Sequence, residues 1–518
     1  MALLASLGHC LRLARAGFVL AREGVFSAVD PAMLPPSAQP ALALAKLIAR
    51  RGGKGLAAAM ARLGPSYVKL GQFLATRADI VGPRVVRQLE LLQDKMAPFP
   101  RETAVRQIEA AFGKKLDEVF SAFSEPVAAA SIAQVHKARL RGTDHDVAVK
   151  VLRPGIERRF RRDIADMHFA ARLAERHLTE AKRLKPVEVV DTLARSVRME
   201  MDFRLEAAAA SELAENAAAD GDFRVPAIDW DHTTREVLTL EWIEGTPLSD
   251  LAGLRKTGHD LPALGRRVIQ TFLRHAVRDG FFHADMHPGN LFLDTQGRLA
   301  AVDFGIMGRL GPKERRFLAE ILYGFITRDY ARVAQVHFDA GYVPPTHRVE
   351  DFAQAIRAIG EPIHSRTADQ ISMAKLLTLL FEITGLFDMA TRTELVMLQK
   401  TMVVVEGVGR ALDPKLDMWA TAEPVIGAWI RDNLGPAGRV QDAGRGLASL
   451  AGLAAGLPEA FVRAQRIGDQ LESAAAQGLQ LSSASIEAIG RAEARRARWG
   501  NFALWVIAAL LAYLALRR

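Results

Sequence analysis

The 518-residue sequence predicts an α+β fold of two lobes, preceded by a helical extension and followed by a hydrophobic tail. Three observations predict it. Apolar, branched runs of strand length sit at 147–152, 237–243, 291–293 and 299–302, while helical periodicity dominates before and after them. The polar run His283-Ala284-Asp285-Met286-His287-Pro288-Gly289-Asn290 lies among the last strands, with Asp303-Phe304-Gly305 beyond it. The uncharged stretch Phe502 to Leu516 is bracketed by arginines.

The composition narrows the function classes. A net charge of +9 over this length is modest, and with 7 % aromatics no basic cluster with interleaved aromatics marks a nucleic-acid surface. A basic excess near a membrane segment suits an anionic lipid surface instead. The single cysteine, Cys10, excludes internal disulfides and a cysteine-built zinc site.

The elements follow in order. Residues 1–125 read as a helical extension. Leu4, Leu11, Ala14, Phe18 and Val19 share one helical face, which suits either a packed helix or one lying on a membrane. Arg12, Arg15 and Arg22 interrupt that stretch and argue against a signal peptide. A second periodic segment runs from Leu63 to Asp94, and Pro98 and Pro100 break it. Residues 126–245 read as a mixed N-lobe: strands at Val147 to Leu152 and Val237 to Ile243, a charged helix from Arg158 to Arg183, and one helix over 187–217. Residues 246–435 read as a helical C-lobe, with Leu264, Val268, Phe272 and Ala276 at four-residue spacing. Residues 436–500 form a weakly amphipathic tether and 501–518 a membrane anchor. The fifteen residues from Phe502 reach about 22 Å at helical rise, short of the ~30 Å hydrocarbon core, so a short span and a helix-pairing tail are both open. Trp499 and the flanking arginines favour the membrane.

Four features carry chemistry. Phosphoryl transfer needs held phosphates, metal ions across them and a residue that orients the nucleophile. Asp285 and Asn290 stand five apart, the kinase catalytic-loop interval at which the Asp faces the nucleophile and the Asn holds Mg²⁺. Asp303 follows after a short strand pair, placed to bind metal. Lys150 ends Val147-Ala148-Val149-Lys150; an ammonium on a central strand is costly unless phosphates and a carboxylate compensate it. The candidate partner lies in Glu200-Met201-Asp202-Phe203-Arg204-Leu205-Glu206, where Asp202 and Glu206 share one helical face and Glu200 points elsewhere. The chemistry is therefore kinase-like, with ATP and Mg²⁺ as cofactors.

Two kinase parts are absent from the sequence. No Gly-x-Gly-x-x-Gly precedes the lysine strand; Ala128-Ala129-Ala130-Ser131-Ile132-Ala133-Gln134-Val135-His136 takes its place, so the backbone of Ala129, Ala130 and Ser131 meets phosphate differently. Few residues separate Gly305 from Gly311-Pro312-Lys313-Glu314, which reads as a helix start with Pro in the first turn. A long activation segment for docking a peptide is not evident.

These departures resemble the UbiB-like, or Aarf-domain-containing, atypical kinases of ubiquinone biosynthesis. The likeness spans about residues 60–345 and rests on Lys69-Leu70-Gly71-Gln72, the alanine-rich loop and Glu200 to Ala207. Ala78 stands where the family commonly has proline. The resemblance implies roles. Lys69 and Gln72 belong to an extension that folds over the active site, and Glu200 and Asp202 meet it. Glu206 pairs with Lys150. Asp285 is the catalytic-loop Asp, and Asn290 and Asp303 hold Mg²⁺.

The expected function is a membrane-associated ATPase or small-molecule kinase supporting ubiquinone biosynthesis. Its kinase-like domain is expected in the cytoplasm, against a bacterial inner membrane. Its expected partners are ATP, a membrane lipid or quinone precursor, and other quinone-biosynthesis proteins; nucleic acid is not expected, and a homodimer is allowed. The alternative is a non-catalytic, ATP-dependent scaffold that presents lipid to those enzymes. A soluble-alcohol phosphotransferase shares the Asp285, Asn290 and Asp303 pattern, but the alanine loop and Lys69 to Gln72 count against it.

Overall fold

Apolar residues at helical spacing make the extension a set of short helices: α1 (Ala2–Arg22), α2 (Gln39–Ile48), α3 (Gly55–Leu63), α4 (Pro65–Ala75) and α5 (Pro83–Leu89). The structure is a computed structural model that describes residues 2–28, 39–50, 55–75, 81, 83–89, 92, 96–143, 145–177, 185–256, 258–363, 383, 385–389 and 393–435. The expected tether and anchor at 436–518 lie outside these residues, and so does Ala78. Among the described residues, no helix is long and apolar enough to cross a membrane. The chain divides into Met1–Asp432 and Asn433–Arg518, and the sheets, the polar loops and the site described below belong to the first unit.

After Pro100, α6 (Arg101–Phe112) and the single turn α7 (Leu116–Val119) lead into the N-lobe sheet of β1 (Phe120–Ala129), β2 (Ala133–Leu140) and β3 (Asp146–Leu152). Then come α8 (Ile156–His177), α9 (Pro186–Glu200), α10 (Phe203–Ala217), β4 (Phe223–Arg224) and β5 (Val237–Glu241). The sheet order is β1-β2-β3-β5, antiparallel throughout.

Alternation along β3 sorts its side chains between two cores. Val147, Val149 and Val151 join Ala104 and Ile108 of α6 on one face. Leu152 faces the other way, into a core with Phe160 of α8, Leu193 of α9 and Phe203 of α10. Lys150 shares the parity of Leu152 and so points to the α8–α10 side. Tyr67, Leu70 and Phe73 of α4 pack against that same core, so the extension completes the lobe on the lysine's face.

The helix expected over 187–217 is two helices. Glu200 ends α9, and Asp202, in extended backbone at φ −122°, is the N-cap of α10. Its carboxylate accepts from the Arg204 N–H at 3.2 Å. A short acidic side chain offers the backbone this alternative to helix continuation. Asp202 therefore precedes the helix that carries Glu206 and does not lie on its face.

The C-lobe runs through β6 (Gly245–Pro247), α11 (Leu251–Lys256), α12 (Leu261–Leu273), β7 (Phe281–His283), β8 (Leu291–Asp294), β9 (Leu299–Ala301) and β10 (Met307–Arg309). It ends in α13 (Pro312–Ile326), α14 (Tyr330–Asp339), α15 (Val349–Ile363), α16 (Thr393–Leu412) and α17 (Met418–Leu434). Leu264, Val268, Phe272 and Ala276 are all buried, as their spacing requires. A π-helical turn at Arg274–Asp279 ends at Gly280, whose φ is 68°. A Cβ on Gly280 would meet Leu310 O at 2.5 Å, so this turn admits glycine. The lobe's small strands form a sheet β4-β9-β8-β6 and a pair β10-β7, from whose ends the polar loops project.

Candidate active site

On α10, Phe203, Glu206, Ala207, Ala210, Leu213 and Ala217 form the buried stripe. Glu206 is the polar member, one turn from the N-cap, and faces β3. Lys150 Nζ donates to Glu206 Oε1 at 2.8 Å and Oε2 at 3.0 Å, and to Asp303 Oδ1 at 2.9 Å. It also lies 5.5 Å from the Phe203 ring centre. The Lys150 and Glu206 side chains are 12 % and 7 % exposed, while that of Asp303 is 47 % exposed. One ammonium thus serves two carboxylates. Burial pushes Glu206 up to about 7 against the pull of Lys150, with Asp303 adding repulsion. Burial also opposes the charge on Asp303, but Lys150 outweighs it and holds that carboxyl below its ordinary range. Burial likewise opposes the Lys150 charge, and the two carboxylates reverse it, keeping the ammonium protonated.

Asp303 stands at φ 63°, the left-handed region that non-glycine residues rarely occupy. Such strain concentrates where function needs a fixed direction. The backbone around it is tied to the catalytic-type loop: Val302 N–H donates to Asn290 O at 2.9 Å and Ala284 N–H to Ile306 O at 3.0 Å. Asn290 Nδ2 donates to Asp285 O at 3.0 Å and to Asp285 Oδ2 at 3.2 Å. That leaves Asn290 Oδ1 as an acceptor. His283 is buried, and burial lowers its pKa, so it is neutral. Its Nδ1 accepts the Asp285 N–H at 3.0 Å and its Nε2 faces Val302 O at 3.2 Å, which fixes the Nε2–H tautomer. Its ring packs 5.6 Å from that of Phe304, joining the two polar loops through a dry contact.

The donor set suits magnesium. Asp303 offers a solvent-open carboxylate and Asn290 an amide oxygen, a sparse all-oxygen pair of the kind that leaves room for water and substrate phosphates. Among the described residues, no group of three His, Cys, Asp or Glu forms a closed metal cage.

The extension reaches the site through Lys69. Its Nζ lies 2.7 Å from Glu200 Oε2, with both side chains largely buried, and against the opposing effect of burial its positive charge adds to that of Lys150 in holding Asp303 low. Gly71 explains how α4 comes so close to its neighbours. A Cβ there would sit 2.3 Å from Leu92 Cδ1 and 2.6 Å from Met60 Sδ. Gln72 is half-buried on α4, and among the described residues no hydrogen bond joins it to the residues around Lys150. Asp202 is spent on Arg204 as well as on its cap, and that guanidinium holds its carboxyl below the ordinary range. The structure thus joins Lys69 to Glu200 and Lys150 to Glu206 and Asp303, and keeps Asp202 apart.

The alanine-rich loop is the β1–β2 turn. Ala130 N–H donates to Ala133 O at 2.8 Å, closing the turn on itself, and Ser131 is fully buried. Two residues with no sequence signal also bear on the site. Thr401, buried on α16, places Oγ1 3.0 Å from Ala284 O, the carbonyl just before Asp285. Arg153, the first residue past β3, hydrogen-bonds the turn backbone at Ala130 O. A lone Thr in a helix and an Arg in a Pro-Gly strand ending carry no distinguishing pattern.

Comparisons with known proteins bear on the family of the chain. Residues 91–337 match the ABC1 atypical kinase-like domain, and residues 356–417, within the helices of the expected C-lobe, match the UbiB helical domain. A "Probable protein kinase UbiB" from Marinobacter nauticus is 43 % identical over 394 residues, covering 75 % of this chain and 72 % of that one. One from Pseudomonas aeruginosa is 44 % identical over 396 residues, covering 76 % and 74 %. A solved chain of the Rv3197–erythromycin complex from Mycobacterium tuberculosis aligns with 26 % identity at TM-score 0.49, covering 69 % of this chain and 90 % of that one. With two domain matches in order and such identity across most of its length, the chain belongs to the UbiB family of ABC1 atypical kinase-like proteins.

Proposed function

We propose that this protein is a membrane-associated, Mg-ATP-binding ATPase or kinase that supports ubiquinone biosynthesis. The observation that carries the reading is the Lys150 ammonium held between Glu206 and Asp303, opposite the Asp285–Asn290 loop. Glu206 keeps Lys150 charged and aimed at the space where nucleotide phosphates would lie. Asp303 and Asn290 would hold Mg²⁺, which when bound would neutralise charge developing on the transferred phosphoryl group. Asp285, kept in place by Asn290 and His283, orients the incoming nucleophile and accepts its proton.

The acceptor is not expected to be a peptide. β10 pairs with β7 directly after Asp303-Phe304-Gly305, and α13 starts at Pro312, three residues beyond β10's end at Arg309. No segment is left there to bind an extended chain, so the reaction falls to a small molecule, a lipid or water. The relatives' printed name, probable protein kinase UbiB, supports a kinase-type reaction, and the place in the quinone pathway rests on the family resemblance. The uncharged stretch Phe502 to Leu516 supplies the proposed anchor.

Purified protein with membrane lipid should bind and hydrolyse Mg-ATP, and Asp303→Asn should lower turnover by at least about a hundredfold, on the scale of losing one electrostatic contact made in the transition state. Unchanged turnover in that variant would remove Asp303 from the metal role. A strain lacking the gene should lose ubiquinone and accumulate a precursor. The self-closed alanine turn favours a second reading, in which nucleotide binding matters and turnover does not. Rescue of the strain by Asp285→Asn would select that reading, and failure to rescue would select the catalytic one.

A further inference from the structure

The run Met96-Ala97-Pro98-Phe99 connects the extension to the N-lobe, and it lies along the alanine-rich turn. Met96 N–H donates to Ala129 O at 3.2 Å. Gln134, fully buried at the start of β2, grips Phe99 on both sides: its Oε1 accepts the Phe99 N–H at 2.9 Å and its Nε2 donates to Phe99 O at 3.2 Å. His136 backs that amide. Its Nε2 lies 2.8 Å from Gln134 Nε2, and its Nδ1 donates to Ser124 O at 2.9 Å, so its orientation is fixed from β1.

Arg153 spans the gap between linker and turn. Its Nε donates to Ala130 O at 2.9 Å and its terminal nitrogen to Ala97 O at 2.9 Å. Its own N–H donates to Ile132 O at 2.7 Å. Its guanidinium carbon stands 5.6 Å from the centre of the Phe99 ring. A planar guanidinium reaches two carbonyls in different directions with little ordering cost, which a lysine ammonium does not reproduce. The turn carbonyls at 129, 130 and 132 are therefore all held from outside the turn.

We propose that Arg153 is a positioning residue that locks the alanine-rich turn to the 96–99 linker, so that nucleotide affinity at Lys150 is set through the extension's linker. This rests on reading the turn as the phosphate-facing loop. A glycine loop shapes itself around phosphate by its own freedom. This turn is instead held in one shape by the linker, and that shape is what the nucleotide meets.

The test uses full-length protein in lipid, with Mg-ATP and Mg-ADP titrated by calorimetry. Arg153→Met is expected to weaken nucleotide binding at least tenfold. Gln134→Met, which cuts the grip on Phe99, is expected to weaken it similarly. The double variant should lose little beyond either single one, because both break the same connection. An unchanged affinity in Arg153→Met, or multiplicative losses in the double variant, overturns the proposal; a lowered thermal midpoint with unaltered affinity does the same. If Arg153→Met does not fold, Arg153→Lys keeps the charge and the stem but not the second carbonyl, and should show a smaller loss in the same direction; no loss there also overturns it. Wild-type protein that binds neither nucleotide would refute the nucleotide reading itself, whereas wild-type binding with indifferent variants refutes only the linkage.

Discussion

At the residue scale, the unequal sharing of one ammonium decides how the site titrates. Asp303 is drawn down and Glu206 pushed up, because two carboxylates beside a single Lys150 are not equally compensated. A carboxyl whose native pKa exceeds its unfolded value binds protons more readily in the folded chain. Glu206 therefore favours folding at acidic pH, and that contribution fades as pH rises from its ordinary 4.5 through about 7. Asp303 acts in the opposite sense, giving stability above its ordinary 3.8 that is lost on acidification below it. Between the two, nucleotide-free protein should lose stability as pH rises from about 5 to about 8, and Glu206→Gln should flatten that slope. Urea midpoints at the two pH values decide it; equal slopes in both proteins would mean Glu206 is ionised throughout. Lys150 and Asp303 were legible in the sequence because they fall in kinase order, whereas the choice of Glu206 among three nearby acids came from the family resemblance. Their unequal titration was not, since it depends on how each carboxylate is buried around Lys150.

At the element scale, α16 of the UbiB helical domain braces the catalytic-type loop through one hydroxyl. Thr401 Oγ1 lies 3.0 Å from Ala284 O and 2.8 Å from Met397 O in its own helix, so its single proton is shared between them. Thr401→Val keeps the shape and strands a buried carbonyl, which should cost about 1–3 kcal/mol of stability. Thr401→Ser should keep the contact. Denaturant melts of the pair, with ATP turnover alongside, test this; equal stability in Val and Ser variants would leave the hydroxyl without a role. Sequence periodicity places α16 as a packed helix but cannot say which residue of its buried face meets a backbone carbonyl. The same limit explains the break between α9 and α10. Residues 187–217 are helix formers throughout, and only the local capping of the Arg204 N–H by Asp202 ends one helix and starts the next.

At the scale of the whole molecule, the extension is a structural part of the N-lobe. Asp163 and Asp166 on α8 are its receptors. Ser66 Oγ donates to Asp163 at 2.8 Å, and Arg12 reaches both oxygens of Asp166 at 2.7 Å while His9 stacks on Phe169. Asp166 is almost wholly buried; burial works against its charge, and Arg12 with His9 still holds its carboxyl below the ordinary range. Asp166→Ala should free α1 while leaving the sheet intact. Hydrogen exchange across Ala2–Arg22 should quicken by about tenfold or more, the scale of a lost charged hydrogen bond, with exchange in β3 unchanged. Protection unchanged along α1 would show that apolar packing alone holds it. The sequence announced the helices of this extension, and Lys69 contacts Glu200 where the resemblance implies that the extension is met. It did not announce the docking to α8, because His9, Arg12 and the aspartates are scattered through segments that look like ordinary solvated faces. The grip of Gln134 on the Phe99 backbone has a further, evolutionary consequence. Positions 99, 134 and 153 meet across three separate segments, so a change at one alters what is tolerable at the others. Among relatives they should drift together, and a chain that replaces Arg153 should carry a matching replacement in its linker.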